Sequence, residues 1–241
     1  IFPSVVRYSD EHETFFLSLL SHETSSLSKL KSKISKLVLK IKNLENPSLM
    51  MIRFDGDEQE AEIKREMAAT IFGKHNGFDV GESLGRKWEI SRFGLPYLRD
   101  DLMERGIFVD TMETVVPWNK ADALRKKLNS VLQNCEAFYR NKGILLAHVS
   151  HVYTSSASLY FTVLTAMNEQ NAYAQWKEIK TLVTDTIVQE GGAVSHHHSI
   201  GTDHQKWYLQ KIDALTKKIL LSVKQTVDPH HILNPGKLFD E

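Results

Sequence analysis

The chain has 241 residues, 41% of them apolar and 25% charged, values of an ordinary globular protein with ample length for a core. Its 30 lysines and arginines balance 30 aspartates and glutamates, so no bulk charge points to nucleic acid. Cys135 is the single cysteine, which excludes an intrachain disulfide and is compatible with a reducing compartment; no run of about 18 apolar residues forms a membrane span.

Ile1-Phe2-Pro3-Ser4 carries no initiator Met and no signal-peptide pattern, so the chain reads as part of a longer one. Residues 26–42 place Leu27, Leu30, Ile34, Leu37, Val38 and Ile41 at helical spacing, with Lys29, Lys33, Lys36 and Lys40 mostly on the other side. That is a basic amphipathic helix, either packed on a core with a solvated lysine face or lying on a membrane surface. Residues 49–54 predict a strand ending at Asp55-Gly56-Asp57, and 58–72 a helix. Residues 81–88 read as a glycine-punctuated connection, and 95–104 as a helix closed by Gly106. Residues 107–116 alternate and are rich in β-branched types, a strand. Asn119 is the expected N-cap of a helix reaching about Arg140. Strands at 144–153 and 158–164 follow, joined by Thr154-Ser155-Ser156. Residues 172–189 predict a helix stopping at Gly191-Gly192, and 207–227 one long helix ended by Asp228-Pro229. The order predicts an α+β fold, an antiparallel or mixed sheet covered by helices.

No Gly-x-Gly-x-x-Gly opens a helix after a strand, and neither a P-loop nor zinc-type Cys/His spacing occurs, so neither a cofactor cradle nor a metal centre is expected. His196, His197 and His198 follow Gly191-Gly192-Ala193-Val194-Ser195, and His204 comes six residues later. Neighbouring loop side chains point apart, so consecutive histidines rarely share one metal. They suit hydrogen bonding to anions and proton movement near neutral pH. The paired glycines let backbone approach a ligand closely. The plainer alternative is an incidental, solvated histidine run.

The tail, with Asp228-Pro229, Ile232-Leu233 and Asn234-Pro235-Gly236-Lys237, resembles the closing motif of the FAD-linked oxidases related to vanillyl-alcohol oxidase. Within them, Ser195 to His198 with Trp207 downstream resembles the alkyldihydroxyacetonephosphate synthase family; the D-lactate and glycolate dehydrogenase branch typically carries Gly-Glu-His-Gly there. Pro3-Ser4-Val5-Val6-Arg7, Pro96-Tyr97-Leu98-Arg99-Asp100, Glu113-Thr114 with Pro117-Trp118, and Ala157-Ser158-Leu159-Tyr160-Phe161 resemble further segments of that family, in order along the chain. Ser199 stands where the family usually has glycine, and the Asn234 tail is nearer the general oxidase form.

The resemblance implies that residues 1–241 form a C-terminal cap domain, the flavin-binding domain being absent, with 1–25 and 228–241 packing toward it. It implies FAD as cofactor, and acyl-dihydroxyacetonephosphate and a long-chain alcohol as substrates, exchanged into an alkyl ether and a fatty acid without net redox change. Tyr160 would move the substrate C1 proton, Arg99 hold the departing carboxylate and Arg7 act beside the flavin. His196, His197 and His198 would bind the polar end and assist proton transfer, and Asn234 would lie near the cofactor. Intracellular placement, peripheral membrane contact through 26–42 and homodimerisation are compatible with it. The alternatives are a flavin-dependent 2-hydroxy-acid dehydrogenase and an inactive isolated cap. Read alone, Arg99 is a surface helix arginine facing Asp100 or Glu104, Arg7 a solvated charge, and Tyr160 a core tyrosine whose phenol, with pKa of about 10, needs tuning to act as a base.

Overall fold

The computed structural model describes residues 2–20 and 46–239. The basic segment at 26–42 lies outside the described residues. Among them run β1 (Val5–Ser9), α1 (Glu11–Leu20), β2 (Leu49–Arg53), α2 (Glu58–Lys74), α3 (Ser83–Ser91), a 3-10 turn (Leu95–Tyr97) leading into α4 (Leu98–Met103), β3 (Ile107–Pro117), α5 (Trp118–Gln133), α6 (Glu136–Tyr139), β4 (Ile144–Val152), β5 (Ser156–Ala166), α7 (Ala172–Gln189), α8 (Gln205–Lys211) and α9 (Ala214–Val227). No described helix is long and apolar enough to cross a membrane.

The five strands form one sheet in the order β2-β1-β4-β5-β3, and every pairing is antiparallel. The expected hairpin is β4–β5, closed where Tyr153 N–H donates to Ser156 O at 3.0 Å. Strand alternation then sorts side chains to two faces. Met112 and Val116 of β3, Ala147 of β4, and Leu159 and Phe161 of β5 turn one way. They meet Leu124, Leu128 and Leu132 of α5 and Ile179, Val183 and Ile187 of α7 in a single core. Both helices present these residues at four-residue spacing, so each buries one stripe; each large apolar side chain contributes about 1.5–3 kcal/mol. The other face carries Glu113, Tyr160 and His148, which are register partners across β3, β5 and β4. Ser9 pairs with His148, so Arg7, two residues back on β1, shares that face.

Several local expectations are corrected. Residues 81–88 are not a connection throughout. The punctuation is Gly81, with φ +82°, and α3 begins after it, tolerating Gly85 and supported by Arg86–Glu82 at 2.6 Å. Helix α5 starts at Trp118 with Pro117 as its cap, not at Asn119. It ends at Gln133 rather than Arg140, because extended Cys135 breaks the run and lets Phe138 of α6 enter the core. The single helix at 207–227 is two: Ile212 is extended, and Asp213 caps α9 by accepting Thr216 N–H at 2.9 Å. Strand β1 and helix α1 were not foreseen, although Asp10-x-x-Glu13 carries a helix-start signal and Asp10 Oδ1 does accept Glu13 N–H at 2.9 Å.

Candidate active site

The histidine loop is placed by the edge strand it crosses. Beyond α7, Gly191 takes φ +86°, and a Cβ on Gly192 would lie 2.7 Å from Thr114 Oγ1 and 2.8 Å from Ile187 Cγ2. Only glycine lets the backbone pass this close to β3. Ala193 N–H donates to Val115 O at 3.2 Å, and Thr114 Oγ1 donates to Ala193 O at 2.7 Å. The chain then rounds the sheet edge and settles on the buried Glu113. Glu113 Oε1 accepts Ser195 Oγ–H at 3.1 Å, His196 N–H at 2.8 Å and the backbone N–H groups of His197 and His198.

This brings the imidazoles over Tyr160. The His198 ring lies edge-on to Tyr160, centroids 5.1 Å apart, and the His197 ring lies 6.4 Å away. On its other side Tyr160 stacks on His148 at 4.7 Å and 19°. His151 stands 5.0 Å from the His196 ring and 5.2 Å from the His197 ring, and Tyr153 Oη is 2.8 Å from His196 Nε2. A buried ion pair adjoins the cluster: Arg7 Nη2 donates to Glu13 Oε1 at 2.9 Å and Arg7 Nη1 to His148 Nε2 at 3.0 Å. That leaves His148 Nδ1 as the protonated nitrogen, donating to Glu13 Oε1 at 2.8 Å. Arg7 Nε is buried with no hydrogen-bond partner among the described residues.

The electrostatics follow from this packing. Burial lowers His148 despite Glu13, so the ring is neutral at neutral pH. Burial alone would raise Glu13, but its bonds from His148 and Arg7 outweigh that and hold it below the usual carboxylate range. Glu113 is likewise lowered: desolvation opposes, and the three loop amides prevail. Tyr160 is raised, by burial first and by Glu113 next, with Thr111 and Arg7 opposing. His198 is lowered by burial, with His197 and Lys180 adding to the effect and Glu113 opposing it. The phenol is therefore protonated and the His148 and His198 imidazoles beside it unprotonated at neutral pH, an acid and bases side by side.

The family of FAD linked oxidases, C-terminal domain, matches residues 3–238. The chain belongs to this family. It is 31% identical over 244 aligned residues to an alkyldihydroxyacetonephosphate synthase of Dictyostelium discoideum, covering 99% of the chain and 39% of that protein. A Trypanosoma brucei brucei protein of the same name is 26% identical, again over 99% of the chain and 39% of its own length. A solved alkyldihydroxyacetonephosphate synthase structure superposes with TM-score 0.71 at 26% identity, covering 98% of this chain and 39% of that one. The chain thus spans about two-fifths of the length of the relatives it matches, as their C-terminal FAD-linked oxidase domain.

Within this FAD-linked oxidase domain the structure brings Arg7, Tyr160, His196, His197 and His198 together on one face. Arg99 is exposed on α4 and is tied to none of them by a hydrogen bond or ion pair. Asn234 is exposed in the tail with φ +48°, a left-handed position that suits asparagine, beside Gly236 at φ +65°. The tail is fastened by Asp228, whose carboxylate accepts Ile232 and Leu233 N–H at 3.0 Å, and by buried Phe239 against Tyr208. The Asp-Pro element of the family motif is therefore a turn clamp. His151, His196 and His197 bring three ring nitrogens within 4.8 Å, as do Glu113, His197 and His198 with their ligand atoms, spacings that a metal could bridge. Tyr153 Oη lies against His196 Nε2, and Glu113 Oε2 against His197 Nδ1.

Sequence reasoning missed Glu13, His148, Glu113 as a site residue, His151 and Tyr153. Glu113 offered one signal: a carboxylate inside an otherwise apolar, β-branched strand. As to FAD, Arg7 Nε is a buried donor turned toward no protein acceptor, which fits an electron-rich cofactor edge. A phosphate cradle is not found among the described residues.

Proposed function

We propose that the chain is the substrate-side part of a flavin-dependent alkyldihydroxyacetonephosphate synthase. The reaction breaks the bond from substrate C1 to the acyl oxygen and forms a C1–O bond to a long-chain alcohol. A fatty acid leaves, the alcohol's proton is accounted for by that acid, and no electrons are gained or lost overall. The observation that supports this reading is the meeting of Tyr160, Arg7 and the histidine loop on one sheet face of a chain similar over 99% of its length to such synthases.

In this reading Tyr160 first passes its phenol proton to unprotonated His198 beside it, and the resulting phenolate takes the C1 proton and later returns it. Exposed His197, with half-buried His196 beside it, donates to the phosphate or carbonyl end of the substrate. Arg7, held by Glu13 and His148, keeps its free Nε for the cofactor side. Arg99, exposed and without an ion-pair partner among the described residues, holds the departing carboxylate. The chemistry that bound FAD supplies is an electron-poor ring against which charge at the substrate C1 is stabilised.

The test is an assay of the full-length protein with acyl-dihydroxyacetonephosphate and a long-chain alcohol. Ether product is expected, and His197→Ala should lower its rate by about 100-fold or more, with an unchanged melting temperature. Reduction of a dye by a 2-hydroxy acid, with no ether formed, would instead make it a dehydrogenase.

A further inference from the structure

We propose that Glu113 is the positioning residue of the site: its carboxylate fixes the backbone of residues 196–198 so that the histidine rings face Tyr160. The inference deepens the proposed function and rests on it for its kinetic arm alone. Glu113 sits on β3 directly opposite Tyr160, so strand register fixes the two on the same face. Its side chain is buried, and one oxygen collects the Ser195 hydroxyl and three successive backbone amides. Successive N–H groups converging on one anion form a nest, and charge assistance makes each bond stronger than a neutral one. In the opposite sense, a buried carboxylate without these donors would be strongly disfavoured.

The arrangement works in both directions across β3. Gly192 lets the chain approach the strand, Thr114 and Val115 take Ala193, and Glu113 takes the next residues. A Glu113 lost from this series leaves the loop anchored at Ala193 and by the Tyr153 contact to the His196 ring, with the backbone of 195–198 no longer held by the carboxylate. Glu113 is thus not proposed to touch the substrate. It acts through the histidines it holds and through its charge beside Tyr160.

Three variants separate these contributions. Glu113→Gln keeps an oxygen acceptor and the shape but removes the charge. Glu113→Leu removes both, and Glu113→Asp keeps the charge on a shorter arm. In full-length protein, backbone amide exchange at 196–198 should rise about 10-fold or more in Glu113→Leu, and less in Glu113→Gln, while amides of β4 and β5 keep their wild-type rates.

The kinetic arm is the pH profile. Tyr160 is faced by Glu113 and Thr111 of β3, His148 of β4, Arg7 of β1, and His197 and His198 of the loop; the charges of Asp110 on the other face of β3 and of Lys180 of α7 act on Tyr160 and His198 from across the sheet. Removing the Glu113 charge makes Tyr160 easier to deprotonate and His198 harder to protonate. Both limbs of the Glu113→Gln profile should therefore move to lower pH, which a purely structural residue would not cause. Unchanged exchange at 196–198 in Glu113→Leu, or faster exchange spread evenly over β3 to β5, would overturn the proposal. An absence of ether product in the wild-type enzyme would sink the proposed function while leaving the exchange result to decide on Glu113.

Discussion

On β5, Tyr160 and Phe161 are neighbours in sequence and lie on opposite faces of the sheet. Phe161 is fully buried in the apolar core shared with α5 and α7. Tyr160 stands among His148, His198 and Glu113, where nearly every contact is polar. One set of strands thus supplies, on alternate residues, a mainly apolar core and a polar cluster. The same comparison holds on β3 between Met112 and Glu113, and on β4 between Ala147 and His148. The apolar face fixes the register, and the register in turn aligns Glu113, Tyr160 and His148 side by side.

The comparison can be broken most severely from the apolar side. Phe161→Ala should cost about 3–5 kcal/mol in chemical denaturation, because the removed ring leaves a cavity between two helices. A cost under about 1 kcal/mol would mean that this face is not the organising core.

Acid should act on the polar face first. His148 and His198 have folded values below the ordinary histidine value of 6.5, so the unfolded chain takes up protons that the folded one refuses. Stability is then fully present above that unfolded value and is lost as pH falls below it. Glu13 and Glu113, held below the ordinary 4.5, add a second loss as pH falls through their folded values. The melting temperature should therefore decline from pH 7 to 5 and again below about 4.5, at roughly 2–4 °C per kcal/mol. His148→Gln should flatten the first decline. A flat profile from pH 7 to 5 would contradict the buried neutral histidine.

The smallest effect is at the end of the loop. Ser199 takes φ +66°, in the region that favours glycine. Ser199→Gly should raise stability by about 0.5–1 kcal/mol, relief of the left-handed cost being partly offset by a looser unfolded chain. A loss of stability would mean that the serine side chain makes a compensating bond.

What the sequence could disclose divides along the same line. The strands at 107–117, 144–152 and 156–166 are legible because alternation and β-branching act locally. The break at Asp213 is not, because apolar spacing continues through Ile212 and Leu215 while a single cap residue interrupts it. The histidine run stands out in the sequence by itself, whereas Tyr160 is reached only by resemblance, since 36 or more positions separate them and no periodicity joins them. Glu13 and His148 meet across 135 positions and depend on β1 pairing with β4, which five short residues hardly announce. His151 reaches the site through the irregularity between Val149 and His151, which turns it to the side of Ser158 and Tyr160. Alternation alone would have sent it to the other face.

The central claim is that the polar face is where the reaction takes place and that Tyr160 moves its proton. The most direct measurement is ether formation by full-length Tyr160→Phe, which deletes one oxygen and keeps the ring stacked on His148. The account predicts turnover lowered by about 100-fold to 10,000-fold, with melting temperature and β5 amide exchange as in the wild type. Wild-type turnover in that variant would contradict it.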